Sequence, residues 1–200
     1  MAELRQGSPE FAEALGPLIY SAAPELLNFI FKSEREALNF FALALPESDG
    51  QFSAYRHQIA VHDDKCIGCI SFWYEELPQS FHLATIDSLQ NHLSLEALQH
   101  LLSVNPYLVA LFPPPIDSEL CIGHLAVLSE QRGRGIGKSL LNFAKQQAMA
   151  LQKQRLVLDV NAANTQALAF YQEFGFTCVK QTEFTHTGDK FVRMHFDLTS

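Results

Sequence analysis

Between a strand-like run, ELCIGHLAV at residues 119–127, and an apolar helical run, the chain reads LSEQRGRGIGKS, with glycines at 133, 135 and 137 and cations at 132, 134 and 138. Glycines without a Cβ let backbone N–H groups converge on one anion. The helix that follows adds its unpaired first-turn amides and the positive end of its dipole. A strand, an anion-binding loop and a helix in that order demand an α/β layering around them.

The cations of the loop are local. Six of the fourteen Lys and Arg residues fall between Arg132 and Arg155, in a chain whose formal net charge is −8. Diffuse attraction to nucleic acid or to an anionic membrane is therefore not expected, and a cationic or neutral substrate suits the balance better. No run of about 18 apolar residues occurs, and the N-terminal MAELRQGSPEFAEAL is interrupted by charge rather than patterned as a signal peptide. The expectation is a cytoplasmic protein. Four cysteines, at 66, 69, 121 and 178, are too few for a disulfide scaffold in 200 residues. Each lies in a strand-like run, so reduced, buried thiols are expected. Cys66 and Cys69 have the spacing of a metal or redox pair, but in a regular strand they face opposite sides, and no second Cys or His pair follows at metal spacing; no metal is expected.

Helical spacing of apolar residues predicts helices from Pro9 to about Leu45, with Pro24 and Ser33 at helix starts. HQIAVHDDKCIGCISFWY, residues 57–74, predicts an antiparallel hairpin turning at Asp63-Asp64-Lys65. Residues 76–118 hold one predicted helix, SLEALQHLL, and then FPPP, which continues no regular element. This segment reads as an insertion or lid. Beyond it come strand, loop, helix to about Ala150, strand RLVLDV, helix NTQALAFYQEF and two closing strands. The reading is one domain over residues 1–200, of α/β class, with a central mixed, mostly antiparallel sheet flanked by helices.

Three loop types compete for residues 132–139. A Walker A loop needs four residues between its first glycine and Gly-Lys-Ser, and Gly133 to Gly137 leaves three. A dinucleotide fingerprint needs G-x-G-x-x-G, whereas these glycines stand at every second position. Arg132-x-x-Gly135-x-Gly137 after Leu125-Ala126-Val127 resembles instead the acyl-CoA loop of the GNAT superfamily of N-acetyltransferases. Asn164, Ala167, Tyr171, Gly175 and Phe176 fall at the spacing of that family's second signature.

The resemblance implies a sheet splayed at the strand pair that admits acetyl-CoA, the co-substrate, with no metal. It implies that main-chain groups of Leu125, Ala126 and Val127 hold the pantetheine and acetyl. Backbone amides of Gly133, Arg134, Gly135, Ile136, Gly137, Lys138 and Ser139 would cradle the pyrophosphate, with Arg132, Arg134 and Lys138 adding longer-range attraction. Asn164 would cap its helix and hydrogen-bond the cofactor arm. Tyr171, two helical turns on, would protonate the leaving thiolate.

Many family members carry Glu or His two or four residues before the Leu of Leu-Ala-Val, where this chain has Gly123 and Cys121. Side chains alternate along a strand, so Glu119 shares their face and is the expected base, while His124 points to the other side as a packed core residue. Glu75 and Glu76, at the hairpin's end, are further carboxylates within conceivable reach of a substrate. The expected activity is acetyl transfer to a primary amine, on a small molecule or a peptide, by direct attack in a ternary complex, the enzyme being a monomer or homodimer. Two other readings stay open: a non-catalytic acyl-CoA sensor, suggested by Cys121 and Gly123, and a P-loop nucleotide-binding protein, suggested by Gly137-Lys138-Ser139.

Overall fold

The computed structural model describes residues 2–198. Seven strands follow the order β1-β2-β3-β4-β5-β7-β6, where β1 is Glu3–Gln6, β2 His57–His62, β3 Lys65–Trp73, β4 Glu119–Val127, β5 Arg155–Asn161, β6 Thr177–Phe184 and β7 Asp189–Asp197. The β1/β2, β2/β3, β5/β7 and β6/β7 ladders are antiparallel and β4/β5 is parallel, so the sheet is mixed and mostly antiparallel, as expected. Seven α-helices accompany it: α1 Ala12–Ala22, α2 Pro24–Phe31, α3 Glu34–Ala44, α4 Gln79–His92, α5 Leu95–Leu111, α6 Ile136–Ala150 and α7 Thr165–Phe174. The chain divides into two compact units, and β4 passes from one to the other after Gly123.

The first unit comprises residues up to Ser71, Leu77–Val104 and His124–Leu140. Pro24 occupies the first turn of α2, and Ser33 caps α3 by accepting from Glu36 N at 3.2 Å, as the sequence predicts. The core is rich in phenylalanine: Phe31 stacks on Phe40 with centroids 5.0 Å apart, and Phe40 meets Phe52 edge-on at 4.9 Å. Leu15, Ile19, Ile59, Cys69 and Ala126 join the same cluster, so α1 to α3 rest on the β2–β3 hairpin and on the end of β4. Among the described residues no single helix is long and apolar enough to cross a membrane.

The hairpin turns through Asp63 and Asp64, both with left-handed φ (49° and 58°), a conformation that suits the right-handed strand twist. Its ladder slips between Ala60 and Val61, so that Ile59 faces Cys69 and Val61 faces Cys66. This bulge corrects the alternation expected for Cys66 and Cys69: both point into the one core cluster. Burial raises both thiol pKa values, that of Cys66 to about 11. Among the described residues no group of three or more His, Cys, Asp or Glu could hold a metal ion.

His124 is packed as predicted, its ring parallel to that of His57 with centroids 5.7 Å apart and its Nδ1 3.2 Å from Ser71 Oγ. Burial pushes His124 down to about 3 and His57 to about 4. Both rings are neutral in the native state.

The second unit comprises Phe72–Glu76, Asn105–Gly123 and Leu141 onward. Its strands β5 and β7 pair over seven positions, Arg155↔Asp197 to Asn161↔Phe191. Lys153, with a side chain only 2% exposed, ties Glu76 and Asp117, accepting partners at the two ends of the segment 76–118. Burial alone would lower its pKa, but the two carboxylates outweigh that and raise it. Glu76 is thereby held in a structural ion pair.

Three further expectations change. The segment 76–118 contains two helices, α4 and α5, not one. The missed α4 buries only Phe81 and Ser88, so it lacks the apolar stripe that periodicity detects. Strand β1 was also illegible, being four residues long and half-exposed or exposed throughout. Cys178 is exposed on β6, not buried.

As pH falls below the ordinary histidine value of about 6.5, the unfolded chain takes up protons that His57 and His124 refuse in the fold. Stability is therefore lost from about pH 6.5 down to the two native values, at up to about 1.4 kcal/mol per pH unit for each ring. Urea unfolding at pH 7 and pH 5 checks this: His57→Phe should lose less stability over that interval than the parent chain, and equal losses would contradict the assignment.

Candidate active site

The loop belongs to the first unit. Strand β4 ends at Val127, a short 3₁₀ turn covers Ser129–Gln131, and α6 opens at Ile136. Gly133 and Gly135 have φ of 75° and 80°, and a Cβ built on either would meet nothing within 4 Å. The glycines are thus required by conformation, and they leave the backbone open to a ligand. Ser139 N donates to Gly135 O at 2.9 Å, the first turn of α6, at whose start Ile136 and Gly137 follow the open glycines. Arg132 Nε donates to Val127 O at 3.2 Å, tying the loop back to the strand, while Arg134 and Gly135 lie exposed. Such an arrangement is chemically able to hold an anion such as a pyrophosphate.

One residue that sequence reading passed over sets this geometry. A Cβ on Gly68 would lie 3.0 Å from Ala126 O and 3.3 Å from Ile136 Cγ2. Any larger residue here would push against both the end of β4 and the start of α6, and Leu128 N donates to Ile67 O at 3.0 Å beside it. A glycine inside a strand pattern was the available signal. Ala126 is buried, whereas Leu125 and Val127 are half-buried.

The remaining predicted residues stand in the second unit. Asn164 caps α7, its Oδ1 accepting from Ala167 N at 3.1 Å, which leaves its NH₂ as the end a ligand would use. Tyr171, 8% exposed, packs between Phe170 and Phe176, with centroids at 5.4 and 5.6 Å. Among the described residues its hydroxyl has no hydrogen-bond partner, and burial holds its pKa well above the ordinary tyrosine value. It stays protonated and able to donate. Gly175 ends α7 at φ 114°, where a Cβ would meet the Phe196 ring at 3.0 Å. Both Gly175 N and Phe176 N return to Tyr171 O, at 3.1 and 2.9 Å.

Glu119 is 7% exposed and committed: its Oε2 accepts from Ile116 N at 3.3 Å, and His195 Nε2 lies 4.0 Å from Oε1. It shares a face with Cys121, Asp159 and Arg193. Burial raises the Cys121 thiol to about 12, reinforced by Asp159 and offset by Arg193. Asp159 and Arg193, neighbours across β5 and β7, form an ion pair at 3.3 Å with side chains 11% and 14% exposed. Sequence reading overlooked this pair because its two members are distant in sequence and only strand register joins them.

Residues 107–176 match a family model described as the acetyltransferase (GNAT) family. No curated protein matches the chain. Among solved structures, an N-acetyltransferase from Staphylococcus aureus Mu50 superposes with a TM-score of 0.70 at 18% identity, over 98% of this chain and 100% of that one. The ribosomal-protein-S18-alanine N-acetyltransferase from Escherichia coli gives 0.56 at 15%, over 100% and 96%. A protein from Salmonella typhimurium whose structure holds its cofactor acetyl-CoA gives 0.54 at 11%, over 100% and 95%.

Gly135→Asp places a side chain and a negative charge at a left-handed position that faces open space. If the loop is where an acetyl-CoA pyrophosphate binds, this change should abolish acetyl-CoA binding in a calorimetric titration while shifting the melting temperature by only a few degrees; retained affinity would remove the loop from the ligand site. The segment 107–176 thus carries the signature of the acetyltransferase (GNAT) family, within a fold that the whole chain shares with solved acetyltransferases.

Proposed function

We propose that the protein transfers an acetyl group from acetyl-CoA to a primary amine by direct attack in a ternary complex. The observation that carries this reading is the loop: two left-handed glycines with nothing over them, at the start of a helix, inside the segment that matches the acetyltransferase family. The backbone of residues 133–138, with the side chains of Arg132, Arg134 and Lys138, would hold the pyrophosphate of CoA, and the main chain of Leu125, Ala126 and Val127 its pantetheine and acetyl. Asn164 would bond the cofactor arm through its NH₂. Acetyl-CoA supplies a thioester that an amine can attack.

Tyr171 is the proton donor to the leaving sulfur in this reading. Its raised pKa keeps the hydroxyl protonated at neutral pH and so able to donate to the sulfur as negative charge develops there. Glu119 stands on the face of β4 where the sequence pattern expects a base. The net charge of −8 favours a small-molecule or peptide amine over nucleic acid or membrane as partner. The setting we propose is the cytoplasm, with the enzyme as monomer or homodimer.

Cys121 and Gly123, at positions where many relatives place a base, favour a second reading, an acyl-CoA sensor without turnover. Free-thiol release from acetyl-CoA against a panel of amines separates the two. Amine-dependent release supports the transferase, and binding without release from any amine supports the sensor. Tyr171→Phe should keep acetyl-CoA affinity and lower kcat by about a hundredfold or more; an unchanged kcat would remove Tyr171 from the chemistry.

A further inference from the structure

The β4/β5 ladder ends at Cys121↔Val157, although both strands continue. Two residues on, on the same faces, come Gly123 and Asp159. Gly123 is exposed and presents no side chain. Just beyond the last paired residues, β4 thus presents no side chain at 123, where β5 carries a carboxylate at the matching position.

Resting on the acetyltransferase reading above, we propose that Asp159 receives the proton of the acceptor amine, and that Glu119 serves the fold instead. Glu119 is the poorer acceptor because it is nearly enclosed and already bound to the backbone of the segment that covers it, at Ile116 N. Asp159 is held from one side: Arg193 pairs with it at 3.3 Å and is itself fixed by donating to Pro113 O at 2.9 Å. The guanidinium orients the carboxylate, and among the described residues no second donor saturates it. The charged and titratable groups facing Asp159 are Glu119 and Cys121 from β4, Arg193 from β7 and Lys180 from β6, with His195 of β7 next in line beside Glu119. Pro113 and Ile116, from the covering segment, bring no charge.

Burial outweighs the attraction of Arg193 and lifts the Asp159 carboxyl to about 6, so it is mostly ionised at neutral pH yet basic enough to accept a proton. In the step, an Asp159 oxygen takes a proton from the acceptor ammonium, and the freed nitrogen lone pair bonds to the acetyl carbon. The attacking nitrogen then gives up its second proton to water, the carbon–sulfur bond breaks, and Tyr171 protonates the sulfur and takes back a proton from that water. The products are the amide, the CoA thiol and one net proton, which Asp159 returns to water as Tyr171 is reprotonated.

The test compares Asp159→Asn, Asp159→Glu and Glu119→Gln in the full chain, each titrated with acetyl-CoA before kinetics. Asp159→Asn should bind acetyl-CoA like the parent, lose about a hundredfold or more in kcat, and lose the fall in kcat/KM that the parent shows as pH drops through about 6. Asp159→Glu should recover part of the rate and the acidic limb. An activity-independent readout is the carboxyl ¹³C titration, where a midpoint near 6 should vanish in Asp159→Asn and persist in Glu119→Gln. If Glu119→Gln abolishes the limb while Asp159→Asn keeps it, the proposal is overturned and Glu119 is the base. Failure of the parent chain to bind acetyl-CoA at all would instead overturn the acetyltransferase reading on which the proposal rests.

Discussion

The contact on which the loop depends is the approach of β3 to the end of β4 at Gly68, where a Cβ would lie 3.0 Å from the carbonyl of Ala126. That carbonyl is backbone and cannot move aside as a flexible side chain would. The same Gly68 also faces Ile136, the first residue of α6, so one missing methyl sets both the strand that leads into the loop and the helix that leaves it. The phenylalanine cluster behind it gives the support, because Ala126 is part of the core that packs Phe31, Phe40 and Phe52. Burying each such side chain contributes about 1.5–3 kcal/mol, and that burial holds the backbone in place. The glycines at 133 and 135 can then be open to solvent without the loop losing its shape, since Arg132 bonds the end of β4 and Ser139 bonds Gly135.

The second unit shows a different economy of polar groups. On the face shared by β4, β5 and β7, two carboxylates, a thiol, a histidine and an arginine are brought together with little access to water. In such surroundings each charge needs a partner, and the partners differ in kind. Glu119 is satisfied by backbone and by the neighbourhood of His195, whereas Asp159 leans on a single guanidinium. Burial acts on these groups in opposite directions, raising Asp159 and lowering His195. Groups with separated affinities for a proton are the raw material of acid–base chemistry. Lys153 plays the complementary structural part, using a buried ammonium to close the segment 76–118 at its base.

What could be read from the residues alone follows from range. The loop, the cap at Asn164, the Ser33 cap and the Asp63-Asp64 turn are decided within a few residues, and each was legible. The strand β4 was legible over its whole length because its neighbours in sequence, FPPP and the glycine loop, bound it on both sides. What was missed depends on partners far along the chain: the bulge that turns Cys66 and Cys69 to one face, the close approach at Gly68, and the Asp159–Arg193 pair. Helix α4 escaped for the opposite reason, since it buries too little to leave a pattern. Among the site residues, sequence placed the loop and Tyr171 on their elements, but the surroundings of Glu119 became visible only with Ile116 and His195 folded against it.

In the function proposed above, residues 132–139 hold the pyrophosphate of acetyl-CoA. Calorimetric titration of the purified chain with acetyl-CoA, free CoA and Mg-ATP tests it most directly. The account predicts saturable, single-site binding of acetyl-CoA and CoA without any requirement for magnesium, and no comparable binding of Mg-ATP. Binding of Mg-ATP in place of CoA would contradict it and return the loop to the nucleotide-binding class.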